Sequence, residues 1–253
     1  MELLLVSCAS LLAGFIDAVS GGGGLVLVPA LFAVFPNAHP ATLLGTNKSA
    51  SICGTLVATR RYLRYVNLGT WRSLLPAVLL GFAGALLGAW VVTVMSPLVL
   101  RKMLPFVLLA VLVYTFIKKD LGRTHAPHLS PGAQAWATGG IGLTLGFYDG
   151  FFGPGMGSFL VFLFVRCLGF DFLHASAYAK LLNTATNLAA LCLFVSKGHI
   201  WWHFVLPLAV CNVLGSLLGT HFALKHGSGF VRVVFLLVVS ALLLKTGFDA
   251  FLR

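Results

Sequence analysis

The sequence predicts an all-α polytopic membrane protein made of two homologous repeats. Each repeat holds four to five helical segments and one glycine-rich broken or re-entrant helix. Three observations lead to this fold class. Nonpolar residues make up 59% of the 253 and charged residues only 9%. With a mean hydropathy of +0.98, the chain falls far short of the roughly one-quarter charged residues that solvate a soluble domain. Apolar runs of helical length recur from end to end, with room for about eight to ten segments at ~20 residues per span. Finally, an ordered series of Asp, Gly and Pro positions in the first half returns in the second.

The runs occupy 3–20, 25–36, 42–59, 74–95 and 98–117, then 135–148, 157–168, 173–195, 204–224 and 230–252. Between them, 60–72 (RRYLRYVNLGTWR) reads as a basic loop and 118–134 as the most polar break. Residues 1–118 therefore form the first repeat, 119–134 a connecting polar loop, and 135–253 the second repeat of one integrated membrane domain.

The duplication rests on spacing. Gly14-Phe15-x-Asp17 matches Gly146-Phe147-x-Asp149, and Gly21/Gly23 matches Gly153/Gly155, at an offset of 132. Leu75-Pro76 matches Leu206-Pro207, and Gly84-x3-Gly88 matches Gly215-x3-Gly219, at 131. The segments 3–36 and 135–168 would each run about 51 Å as one helix, against a hydrocarbon core of ~30 Å. The chain folds back at the glycines, as a re-entrant hairpin or as two passes. Either leaves an odd number of crossings per unit, which makes the repeats inverted. Loop Lys and Arg divide equally well under a parallel arrangement. The GxxxG pairs pack helices within one chain or between the copies of a homo-oligomer.

Net charge is +11, from 17 basic and 6 acidic residues. Cytoplasmic loop charges that orient a membrane protein account for it. Nucleic-acid binding is not expected, since no segment is long enough for a basic soluble face. The five cysteines are odd in number and scattered, with no CxxC spacing, so no disulfide framework or metal site is expected. His199 and His203 stand four apart but lie in a loop beside Trp201 and Trp202, no histidine has HExxH context, and no cofactor is expected. Leu5-Val6-Ser7-Cys8 has the outline of a lipoprotein box, but Glu2 replaces the basic cluster and the apolar run is short. Trp71, Trp136, Trp201, Trp202, Tyr62 and Tyr65 fall near run ends and suit interfacial anchoring.

Three features carry chemistry. A glycine break inside an apolar run survives only where it is buried or lines a watery cavity. The helix after it offers unpaired N–H groups and a positive dipole end, a seat for an anion. Gly21, Gly23, Gly153, Gly155 and Gly157 are the candidates at the two breaks. The alternative role for these glycines is close helix packing. The second feature is the polar stripe Ser176, Lys180, Asn183, Thr184 and Asn187 on an otherwise apolar helix. A lysine there costs about 2.5–3.5 kcal/mol on insertion scales unless it faces a cavity, a partner or the interface. Together with the asparagines it suits a small oxyanion. In the first repeat Thr42, Thr46, Ser49 and Cys53 read as the equivalent stripe, with Thr46 opposite Lys180. Lys48, Ser51 and Thr55 occupy another face, which serves either the site or an interface. The third feature is Asp17 and Asp149 beside the breaks. They act as helix caps, as proton carriers, or as balance for a lysine. An aspartyl protease dyad is the enzymatic alternative, but its GxGD motif is missing.

The paired GFxD…GxG breaks, Gly45-Thr46-Asn47, the Lys180…Asn183…Asn187 stripe and the Pro76/Pro207–GxxxG helices resemble the sulfite exporter TauE/SafE family. It is also described as the toluene-sulfonate uptake permease family. The resemblance covers about residues 5–250 and adds Asn47 to the candidate site. It implies a multi-pass transporter in a bacterial inner (cytoplasmic) membrane that moves sulfite, organosulfonates or related small anions. Gly22, Gly24 and Met156 depart from the usual pattern and bear on selectivity. The expected partners are the anion and the lipid bilayer. The expected mechanism is alternating access between the two repeats, with a passive anion channel as the alternative.

Overall fold

The computed structural model describes residues 1–66, 74–117 and 129–226. Among these, nine α-helices account for the regular structure. They are α1 (Glu2–Ser20), α2 (Gly24–Val34), α3 (Pro40–Tyr65), α4 (Leu75–Val94), α5 (Pro97–Ile117), α6 (Pro131–Phe151), α7 (Met156–Leu168), α8 (Phe172–Ser196) and α9 (Trp202–His226). The expected segment at 230–252 and Trp71 lie outside the described residues.

Two boundaries move from where hydropathy put them. The basic stretch from residue 60 does not open a loop, because α3 runs on to Tyr65. Arginine is a good helix former with a long stem, and Arg61 Nη1 uses it to donate to Leu217 O at 2.9 Å. The polar connection also ends early. Helix α6 starts at Pro131 behind the Ser130 cap, whose Oγ accepts from Ala133 N at 3.4 Å. Helix α8 starts at Asp171, which accepts from His174 N at 2.8 Å. Burial raises the Asp171 carboxyl, but its bonds to His174 outweigh that and hold it below the usual range.

Helices α1, α4, α8 and α9 are long and apolar enough to cross a bilayer. The outer face of α9 shows why: Leu206, Val210, Leu214 and Leu218 are exposed at intervals of four, a lipid-facing stripe. Helices α2 and α7 have only 11 and 13 residues. At 1.5 Å per residue they are about 16 and 20 Å long, too short to cross ~30 Å alone.

Packing is set by small residues. Helix α4 lies along α6, and α1 along α9. A Cβ on Gly84 would sit 2.4 Å from Leu143 O, and one on Gly88 2.1 Å from Phe147 O. Across the other pair, a Cβ on Gly215 would sit 1.9 Å from Leu11 O and one on Gly219 2.3 Å from Phe15 O. Both GxxxG pairs therefore pack helices of the same chain. Inside these pairs lie α3 and α8, packed on each other and carrying most of the buried polar residues. All five cysteines are unbridged. Of the aromatic residues expected at the interface, Trp136, Trp202 and Tyr65 are exposed. Tyr62 is instead buried and donates to Ala18 O at 3.0 Å, and Trp201 packs edge-on against Phe35.

Candidate functional site

The two breaks meet at one place. Helix α1 ends at Gly21 (φ 77°), while α6 ends in a turn through Gly153 (φ 88°) and Gly155 (φ 79°). These left-handed conformations are the reason glycine stands there. Gly21 and Gly157 are in backbone contact, since a Cβ on either would fall 2.4 Å from the other's Cα. Gly23 is pressed against Ala13 O and the Asp17 side chain, so no Cβ fits there either.

Beside this contact is a cavity of about 20 Å³, room for one water-sized group. From α1 and α2 come Asp17, Gly21 and Gly24; from α6 and α7, Asp149, Gly153 and Met156. Helix α3 supplies Asn47, Lys48, Ser51 and Thr55, and α8 supplies Asn183 and Asn187. Gly24 and Met156 are the first residues of α2 and α7, so two helix N-termini open on the cavity.

Two ion pairs cross the site. Lys48 Nζ is 2.7 Å from Asp149 Oδ1, with side chains 3% and 2% exposed. Lys180 Nζ is 3.0 Å from Asp17 Oδ2, with 3% and 14% exposed. Lys180 also donates to the Asp17 backbone carbonyl, in the last turn of α1, where a cation meets the negative end of the helix dipole. Thr55 Oγ1 stands 3.3 Å from Asp17 Oδ2. Asn187 Nδ2 donates to Asn183 Oδ1 at 3.2 Å. Asp149 Oδ2 is buried and has no hydrogen-bond partner among the described residues.

These positions bear on the roles open to the two aspartates. Neither caps a helix: α2 and α7 begin at Gly23 and Gly155 without a side-chain cap. Nor do they share a proton as a protease dyad, because each binds a different lysine. Each carboxylate instead stands against a lysine. Thr46 stands apart from the cavity lining. Its hydroxyl donates to Thr42 O at 2.7 Å and accepts from Trp201 N at 3.0 Å, so it ties α3 to the start of α9. Of the predicted residues, Asp17, Gly21, Asn47, Asp149, Gly153, Asn183 and Asn187 line the cavity. Lys180 reaches its edge through Asp17, and Gly23, Gly155 and Gly157 shape the turns around it.

Lys48, which the sequence leaves open between the site and an interface, lines the cavity, whereas Thr46 of the expected stripe does not. The signal was present in the spacing. Asp17 and Asp149 are 132 positions apart, and so are Lys48 and Lys180, Ser51 and Asn183, Thr55 and Asn187, and Gly24 and Met156. Applied to Lys180, the offset names Lys48 and not Thr46.

A sequence model described as Sulfite exporter TauE/SafE matches residues 6–246. A Sinorhizobium sp protein named Probable membrane transporter protein ORF9 is 36% identical over 239 residues, covering 94% of this chain and 89% of the relative. The Probable membrane transporter protein YfcA of Escherichia coli (strain K12) is 34% identical over 244 residues, covering 95% and 88%. A Probable membrane transporter protein of Haemophilus influenzae is 34% identical over 253 residues, covering 98% and 95%. No solved structure matches the chain.

Proposed function

The chain belongs to the sulfite exporter TauE/SafE family of membrane transporters, and from that premise we propose that it carries a small oxyanion by alternating access. Sulfite and small organosulfonates are the substrate class, and the bacterial cytoplasmic membrane is the site of action. The observation that carries this reading is the pair of buried lysine–aspartate contacts beside two helix N-termini. The N-termini of α2 and α7 favour negative charge, and each lysine supplies a full positive charge once its carboxylate partner is displaced. Asn47, Asn183 and Asn187 add donors suited to sulfonate oxygens.

The cavity of about 20 Å³ is too small for such an anion, which fits a carrier in a closed state. Opening separates the pairs, and closing behind the anion restores them on the other side. An inverted arrangement of the two repeats suits this cycle. Helix α1 packs on α9 while α6 packs on α4, so each half lends its broken unit to the other. Lys48 reaches Asp149 as Lys180 reaches Asp17, again by exchange between halves.

The test is uptake and counter-flow of radiolabelled sulfite, then of small sulfonates, in proteoliposomes. The wild type should show saturable, counter-flow-stimulated flux. Lys180→Ala should weaken apparent affinity by about tenfold or more, the value of one charged hydrogen bond. Conductance far above carrier turnover without counter-flow would replace the carrier with a channel. Absence of flux with every oxyanion would remove the substrate class.

A further inference from the structure

The two ion pairs are built alike but completed differently. Asp17 Oδ2 has both Lys180 Nζ at 3.0 Å and Thr55 Oγ1 at 3.3 Å. The residue 132 positions after Thr55 is Asn187, and it would be the matching donor to Asp149. Its amide is turned instead to Asn183 Oδ1. Asp149 is therefore held on Oδ1 alone, with Oδ2 buried and without a partner among the described residues, in a side chain that lines the cavity. Buried polar atoms without a partner are rare in native proteins and mark sites where something else binds.

Charge balance says what that is. Lys48, Lys180, Asp17 and Asp149 sum to zero, and a buried anion added to them would leave one uncompensated negative charge. Helix α4, packed against α6, carries no titratable residue. Facing α6 from the other helices are Lys48 on α3, already paired, and on α8 Lys180, bound to Asp17, with Tyr178 and His174 engaged elsewhere. On α7, Arg166 and Cys167 are exposed at its far end. The neighbouring Tyr148 hydroxyl donates to Pro154 O at 2.5 Å. No group on these helices supplies the missing positive charge.

We infer that Asp149 is a proton site and that one proton crosses with each monoanion, making the carrier an electroneutral anion–proton symporter. This rests on the oxyanion reading given above. When the anion takes the Lys48 ammonium, a proton from the same aqueous side bonds to the Asp149 carboxylate, and the site stays neutral. On the other side the anion leaves, the acid O–H bond breaks, the proton passes to water, and the carboxylate returns to Lys48.

The test uses the full chain in proteoliposomes with labelled ethanesulfonate, which stays a monoanion across the pH range used, so that any pH effect belongs to the protein. The wild type should accumulate it up to about tenfold per unit of pH gradient, and its affinity should fall as pH rises, by at most tenfold per unit. Asp149→Asn should bind without pH dependence and fail to accumulate. A protonated-carboxyl infrared band should appear when ethanesulfonate binds the wild type, a readout that needs no variant to fold. Wild-type binding without that band or pH dependence would overturn the proton site, and the orphaned oxygen would then hold water only. Gradient-driven accumulation kept in Asp149→Asn would also overturn it. If neither sulfite nor ethanesulfonate shows counter-flow in the wild type, the oxyanion reading fails first and the proton site falls with it.

Discussion

Removing one partner of the Lys48–Asp149 pair should destabilise the protein far more than removing both. At 2.7 Å and an effective dielectric of ~20, the gross Coulomb attraction is about 6 kcal/mol. Desolvation offsets most of it, so the intact pair adds little net stability. A single Lys48→Met or Asp149→Asn change leaves an unpaired charge at a site 2–3% exposed, which costs about 3–5 kcal/mol. The double variant buries no unpaired charge, so its loss should fall below the sum of the singles by about 2–3 kcal/mol. Equilibrium unfolding in mixed micelles, followed by fluorescence of the five tryptophans, measures all four proteins. Losses that add within about 0.5 kcal/mol would mean that the two side chains do not act as a buried pair. The same cycle on Lys180 and Asp17 should give a smaller coupling, because Asp17 is 14% exposed and water screens it.

Two further outcomes follow from local geometry. Gly215→Ala places a Cβ 1.9 Å from Leu11 O, so α1 and α9 must separate, at a cost of about 1–3 kcal/mol. Gly132→Ala, with nothing within 4 Å, should instead stabilise by up to about 1 kcal/mol; unfolding of the two variants side by side checks the contrast. His199, in the turn between α8 and α9, has its pKa lowered by burial and then by the charges of His39 and Lys197. The folded state therefore binds fewer protons than the unfolded one just below pH ~6.5. Stability should fall as pH drops through that value and level off below the depressed folded value. His199→Gln should flatten that part of the stability–pH curve, and an unchanged slope would refute the assignment.

The chain's class could be read from its residues alone. Lipid leaves no choice for a sequence this apolar, because backbone groups must be satisfied internally, and helix periodicity then places the segments. The breaks at Gly21 and Gly153 were equally legible, since glycine at a left-handed turn is a local requirement. Lys180, Asn183 and Asn187 stood out because polar residues on an apolar helix are costly. Hydropathy misplaced the ends of α3 and α6, where a basic or polar stretch continues a helix without changing its periodicity.

What only the tertiary structure decided is which charge meets which. Thr46 and Lys48 sit two positions apart on one helix, about 200° around its axis, and nothing local tells which face turns inward. Packing of α3 against α8 and α9 made that choice, directing Lys48 to Asp149 and Thr46 to the backbone of Trp201. The partners of both lysines lie more than a hundred residues away in sequence. Long-range pairing of this kind is set by the assembled packing of all the helices, because only there are the charges withdrawn from water and made to depend on each other.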